Sequence, residues 1–147
     1  MRAFMRRMER DDLWLRFGHP FDCRDDATLR RFFDIKGGGR AEMIWNLDRD
    51  GSIAGIGHRV MVSAVEAEIG LIVRSDLKRR GIGEFLLRQM LTRAARRGLK
   101  ALSAVVLREN RALLNLAAKI GYVSRPGTAF TVEIAFELDQ AGAAGTV

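Results

Sequence analysis

Apolar and polar residues alternate from Val65 to Val73, with Val65, Ala67, Ile69, Leu71 and Val73 on one side and Glu66, Glu68, Gly70 and Ile72 on the other. That two-residue period predicts a strand carrying two carboxylates on one face. Between residues 82 and 97 the period lengthens. Ile82, Leu86, Leu87, Met90, Leu91, Ala94 and Ala95 form a helical stripe that stops at Gly98. "LKALSAVVL" reads as a second buried strand. "ENRALLNLAAKIGY" then reads as a helix with Asn110 as N-cap, an inner face of Leu113, Leu114, Leu116, Ala117 and Ile120, and Gly121 as its stop.

The flanking segments complete the order of elements. Phe4, Met8, Leu13, Leu15 and Phe17 among charges predict a helix over 3–17, and "DDATLRRFFDI" predicts a second, with acidic residues at its start. "GGG" at 37–39 breaks the chain. "AEMIWNL" and "SIAGIGHRVMV" then form a hairpin through Asp50 and Gly51, and "AFTVEIAFEL" supplies the last strand, 129–138. Helices, antiparallel strands and a strand-helix-strand-helix-strand portion make an α/β (α+β) chain. No repeat or second boundary interrupts it, so residues 1–138 are expected to be one domain and 139–147 a frayed tail.

Length and composition agree with a single folded domain. The chain has 147 residues, 48% apolar and 29% charged, enough for a core without disulfide or metal staples. Cys23 is the only cysteine, which rules out an internal disulfide and a cysteine-rich metal site. No apolar run is long enough for a membrane helix, and Met1 to Arg10 alternates arginine with apolar residues, so the expected location is cytoplasmic. Charge is concentrated. Residues 74–100 hold nine basic and two acidic side chains, an excess equal to the formal +7 of the whole chain. Such a field suits a polyanion: a nucleotide cofactor, a nucleic acid or an anionic surface. The same stretch contains only Phe85 as an aromatic, too little for base stacking, which speaks against nucleic acid.

Between the carboxylate strand and the long helix stands Lys78-Arg79-Arg80-Gly81-Ile82-Gly83. Strand, basic glycine loop and helix in that order make an anion site, because the first N–H groups of a helix lack partners inside it. The spacing is wrong for the nucleoside-triphosphate loop, and Leu86 stands where a dinucleotide fingerprint needs a third glycine. The hexapeptide resembles the acyl-CoA loop of the GNAT superfamily of N-acetyltransferases, Gln/Arg-x-x-Gly-x-Gly/Ala, with lysine as a mild departure in the first place. "EIGLIVRSD" before it and "RENRALLNLAAKIGY" after it match the same family in the same order. Together the matches span residues 40–138. Trp14-Leu15-Arg16-Phe17 and "LLNLAAKIGY" are similar to segments in the acetyltransferase domain of Pat-type bacterial protein lysine acetyltransferases.

That resemblance implies a GNAT fold, a central mixed and mostly antiparallel sheet flanked by helices. The chain opens on a helix where many members place a strand, so either the sheet is one strand short or the chain start is truncated. Acetyl-CoA is the implied cosubstrate, with no metal. The backbone of Leu71 and Val73 would pair with the pantetheine arm, to which Asn110 would add a polar contact. Amides from Arg79 to Glu84, including Gly81, Ile82 and Gly83, would take the pyrophosphate, helped by the charges of Lys78, Arg79 and Arg80. The Glu84 side chain, which competes with a phosphate, is expected to point away.

The implied reaction transfers acetyl to a primary amine, a protein lysine in the Pat-type pattern, with Glu68 at the position of the general base. Glu66, on the same face, could raise the pKa of its neighbour or attract a cationic acceptor. His19 and His58 read as structural or solvent-facing. Ala117 stands where many members place a tyrosine acid, and Tyr122 matches a packing position. Two other readings stay open: a small amine or antibiotic as acceptor, for which "FGHPFDCRDD" could supply an acidic mouth, and a non-catalytic acyl-CoA-binding or nucleic-acid-binding module. The expected assembly is a monomer or homodimer.

Overall fold

The computed structural model describes residues 1–19, 22, 25, 27 and 41–138. The predicted helix over "DDATLRRFFDI" apart from Asp25 and Ala27, the "GGG" breaker, Cys23, half of "FGHPFDCRDD" and the tail lie outside them. The described chain runs α1 (Arg2–Arg6), α2 (Arg10–Phe17), β1 (Ala41–Leu47), β2 (Ile53–Met61), β3 (Glu66–Val73), a 3-10 turn (Ser75–Leu77), α3 (Ile82–Arg96), β4 (Ala101–Leu107), α4 (Arg111–Ile120), β5 (Val123–Arg125) and β6 (Thr131–Glu137).

The six strands form one sheet in the order β1-β2-β3-β4-β6-β5. Every pairing is antiparallel except β3 with β4, because α3 carries the chain across between them. This is the expected mixed sheet, with β1 at its edge among the described residues.

Alternation along β3 sorts the two faces. Ala67 and Ile69 pack with Leu87, Met90, Leu102 and Ala117 under α3 and α4. Ile72 turns the other way and packs with Ile56, Phe4, Met5, Met8 and Leu13 under α1 and α2. The carboxylate face of β3 is therefore solvated only in its first half. Gly55 and Gly57 of β2 let α3 lie close: a Cβ on Gly55 would sit 2.9 Å from Ile82 Cγ2 and Leu86 Cδ1, and one on Gly57 2.9 Å from Met90 Sδ.

Two expectations change. The helix expected over 3–17 is broken at Arg7–Glu9, where Ser75 Oγ accepts a hydrogen bond from Glu9 N at 2.8 Å. A side chain from the 3-10 turn after β3 thus satisfies an amide at the start of α2, where the Glu9 side chain makes no cap bond. The sequence reading also missed β5, whose three residues are too few to show a period.

Candidate active site

The parallel ladder joins only Glu66, Ala67 and Glu68 to Ala101, Leu102 and Ser103. β3 stays paired with β2 as far as Val73, while β4 runs against β6 as far as Leu107. From Ile69 onward the facing edges of β3 and β4 therefore diverge, exposing N–H and C=O groups to whatever lies between. A cleft of about 460 Å³ occupies the gap, lined by Leu71, Val73, Val106, Leu116, Ile134 and Phe136 among others.

The glycine loop closes one end of this cleft. Arg79 has φ +63° and Gly81 φ +82°, and alternation of backbone hand turns successive N–H groups inward, as in an anion-binding nest. Gly81 is the N-cap of α3 and no side chain caps that helix, so its first amides are left for a ligand. At Gly83 a Cβ would stand 3.7 Å from Leu116 and Val73 side chains, filling the space between loop and wall. Lys78, Arg79, Gly81, Ile82, Gly83, Glu84, Leu71, Val73 and Asn110 all line the cleft, which brings together nearly every expected cofactor residue. Arg80 is exposed on the same loop. Asn110 caps α4, its Oδ1 accepting from Leu113 N at 3.2 Å.

The Glu84 side chain is engaged by Lys119 of α4 at 2.5 Å, a residue outside the cleft lining. That ammonium holds its carboxyl below the usual range, so the negative charge beside the loop is already matched.

Arg74 anchors the loop from below. Its side chain is 2% exposed and gives Nε to Asp76 at 2.7 Å, Nη1 to Ser52 at 2.8 Å and Nη2 to Asp48 at 3.1 Å. The end of β3 is thereby tied to the β1–β2 turn. The basic stretch is less of a free field than the sequence suggests: Lys78 pairs with Asp12, Arg88 with Glu84, and Arg93 and Arg97 with Glu42.

Glu68 occupies the last paired position of the parallel ladder, opposite Ser103, and is not itself among the residues lining the cleft, which begin on β3 with Ile69 and Gly70. It is exposed and lies on the face of β3 covered farther along by α2. Glu66 does not join it. Arg125 of β5 binds Glu66 through Nη1 at 2.6 Å and Nη2 at 3.3 Å and, as the leading cause, holds its carboxyl below the ordinary value. The expected pair of carboxylates reduces to Glu68, because β5 delivers a cation that the sequence did not reveal.

α2 bridges the splayed strands on the Glu68 face. Trp14 Nε1 donates to Glu109 Oε1 at 2.7 Å beyond β4, and Arg16 lies over Gly70 of β3, where a Cβ would fall 2.1 Å from its Nη2. Arg16 also meets His58 Nδ1 at 3.2 Å and lines the cleft. Burial pushes the Arg16 pKa down to about 10, while Glu68 acts in the opposite direction. Burial, seconded by Arg16, brings His58 down to about 4. The imidazole is therefore neutral at physiological pH. His19 is exposed, Ala117 is buried in the core, and Tyr122 packs against that core.

Among the described residues, no group of three or more His, Cys, Asp or Glu could hold a metal ion. No described helix is long and apolar enough to cross a membrane.

Comparison with known proteins agrees with this geometry. The family model described as acetyltransferase (GNAT) family matches residues 7–122. The GNAT domain of S. lividans PAT superposes with a TM-score of 0.81 at 19% identity, covering 92% of this chain and 82% of that one. A GNAT superfamily phosphinothricin acetyltransferase (Pat) from Sinorhizobium meliloti, in complex with AcCoA, gives 0.74 at 17% identity over 100% of this chain and 90% of that one. Campylobacter jejuni N-acetyltransferase PseH in complex with acetyl coenzyme A gives 0.65 at 18% identity over 78% and 79%.

Proposed function

Since the chain belongs to the acetyltransferase (GNAT) family and is an acetyl-CoA-dependent N-acetyltransferase, we propose that it acetylates protein lysine side chains with Glu68 as general base. The observation that carries the base assignment is positional. Glu68 is an exposed carboxylate at the point where β3 and β4 part, immediately before Ile69 and Gly70 of the cleft wall.

The residues fit the cosubstrate. Amides from Arg79 to Glu84 and the charges of Lys78, Arg79 and Arg80 would hold the pyrophosphate, the open edge of β3 at Leu71 and Val73 the pantetheine arm, and Asn110 would add a polar contact. Bound there, acetyl-CoA supplies an acyl group activated as a thioester. A lysine ammonium, with an ordinary pKa of about 10.4, is almost wholly protonated at neutral pH and must lose a proton before its nitrogen can attack. Glu68 accepts that proton, directly or through a water. As the new C–N bond forms and the C–S bond breaks, Ala117 offers no acid, so the departing thiolate takes its proton from water or from the attacking amine.

A lysine acceptor is supported by the likeness of "WLRF" and "LLNLAAKIGY" to Pat-type enzymes. The whole-chain likeness to a phosphinothricin acetyltransferase supports a second reading, a small amine. Mass spectrometry after incubation with acetyl-CoA, lysine peptides and small amines separates them. Lysine acetylation of the peptides at higher kcat/KM supports the first reading, and acetylation of the small amines alone overturns it.

A further inference from the structure

The end of the cleft farthest from the glycine loop bears on the acyl donor. Ile69, Leu87, Ala104 and Phe136 line the cleft, yet each is at most 7% exposed and all belong to one buried cluster. They form its floor. They come from β3, α3, β4 and β6, and Ile69 and Ala104 are the first residues past the last paired position of the parallel ladder. Ile69 lies about 13 Å along the strand from Val73, so this floor closes the pantetheine path at the thioester end. On the opposite face of the sheet Glu68 and Val105 are exposed. An amine can approach the thioester carbon from that face, which leaves the acyl chain the closed one.

Resting on the reading of the cleft as the acetyl-CoA site, we infer that Leu87 and Phe136 are specificity residues that limit the donor to a two-carbon acyl group. Buried clusters pack at the density of organic crystals, so an added methylene has to displace core atoms. In a fitted apolar pocket one methylene changes kcat/KM by about 10- to 200-fold. Acetyl ends in a methyl group, whereas propionyl and butyryl would run on against Leu87 and Phe136. A charged acyl group finds no polar partner among these four side chains. The chemical step is the same for every donor: the acyl carbon exchanges its C–S bond for a C–N bond. Of the two protons an ammonium gives up, one leaves on the coenzyme A thiol and the other passes through the base to water.

The test measures kcat/KM for acetyl-, propionyl- and butyryl-CoA with one amine acceptor, and the affinity for coenzyme A, which carries no acyl group. The wild-type protein should prefer acetyl to propionyl by about tenfold or more. L87A and F136L open the floor and should each raise the propionyl-to-acetyl ratio by about tenfold with coenzyme A affinity kept; L87V serves if L87A does not fold. A104V narrows the floor from β4 and should lower acetyl transfer while coenzyme A binds as before. Near-equal kcat/KM for the three donors in the wild type, an unchanged ratio in the opened variants, or loss of coenzyme A affinity in A104V overturns the inference. Failure of the wild type to bind coenzyme A overturns the reading of the cleft instead.

Discussion

Replacing Gly55 by alanine tests whether the packing of α3 on β2 sets the position of the phosphate loop. The added Cβ would lie 2.9 Å from both Ile82 Cγ2 and Leu86 Cδ1, against an ordinary contact of at least 3.4 Å, and Ile72 O at 3.4 Å limits retreat on the other side. Relief requires a shift of about 0.5 Å. Ile82 is the first residue of α3, so the shift falls on the turn whose amides face the cofactor. Overpacking of this kind costs about 1–3 kcal/mol, and with about 3 °C per kcal/mol for a domain of this size Tm should fall by about 3–9 °C. A displacement of 1 Å at a binding site can lower rates about 100-fold, so half of it should weaken acetyl-CoA binding by about tenfold. Titration calorimetry with acetyl-CoA and a thermal melt measure both effects. G57A is the control: its Cβ meets Met90 Sδ at 2.9 Å, on a flexible side chain two turns farther along α3. G57A should lower Tm by less and bind acetyl-CoA as the wild type does. Normal affinity in G55A, or equal loss in both variants, would refute the argument.

Lys119 and His58 supply further tests. K119M should weaken acetyl-CoA binding, because it leaves the Glu84 carboxylate beside the loop with only the longer Arg88 contact of 3.9 Å, and adding E84Q should restore binding. Calorimetry on the single and double variants decides this, with no recovery counting against it. For His58 the folded pKa, about 4, lies below its ordinary 6.5. The stability contributed by the neutral imidazole is thus fully present above pH 6.5 and lost as pH falls towards 4. The gap corresponds to about 3 kcal/mol. Urea unfolding of wild type and H58Q at pH 7.5, 5.5 and 4.5 should show a shallower decline in H58Q, and parallel declines would refute it.

The period of the chain made β1 to β4, α3, α4 and β6 legible, because each carries enough apolar positions to show its face. The cofactor end of the cleft was legible for a related reason: a glycine loop between a strand and a helix is a local arrangement. The acceptor end depends on distant residues. Arg16 in "WLRF" carries no local mark of its place, and its seat on β3 becomes visible only when Gly70 is placed beneath it. Glu66 looked like a partner for Glu68 until a three-residue strand brought Arg125 to it. Arg74 and Lys78 counted towards a basic field, yet the aspartates that engage them come from the β1–β2 turn, the 3-10 turn and α2. Glu84 likewise could be placed only once α4 had brought Lys119 across.

Proton acceptance by Glu68, where β3 and β4 part beside the acetyl-CoA cleft, is the step on which the proposed mechanism turns. Thiol release with acetyl-CoA and a lysine peptide, measured for wild type and E68Q alongside acetyl-CoA affinity, tests it most directly. Loss of a general base predicts a fall in kcat of about 100-fold or more with affinity for acetyl-CoA retained. Unchanged turnover in E68Q would contradict the account.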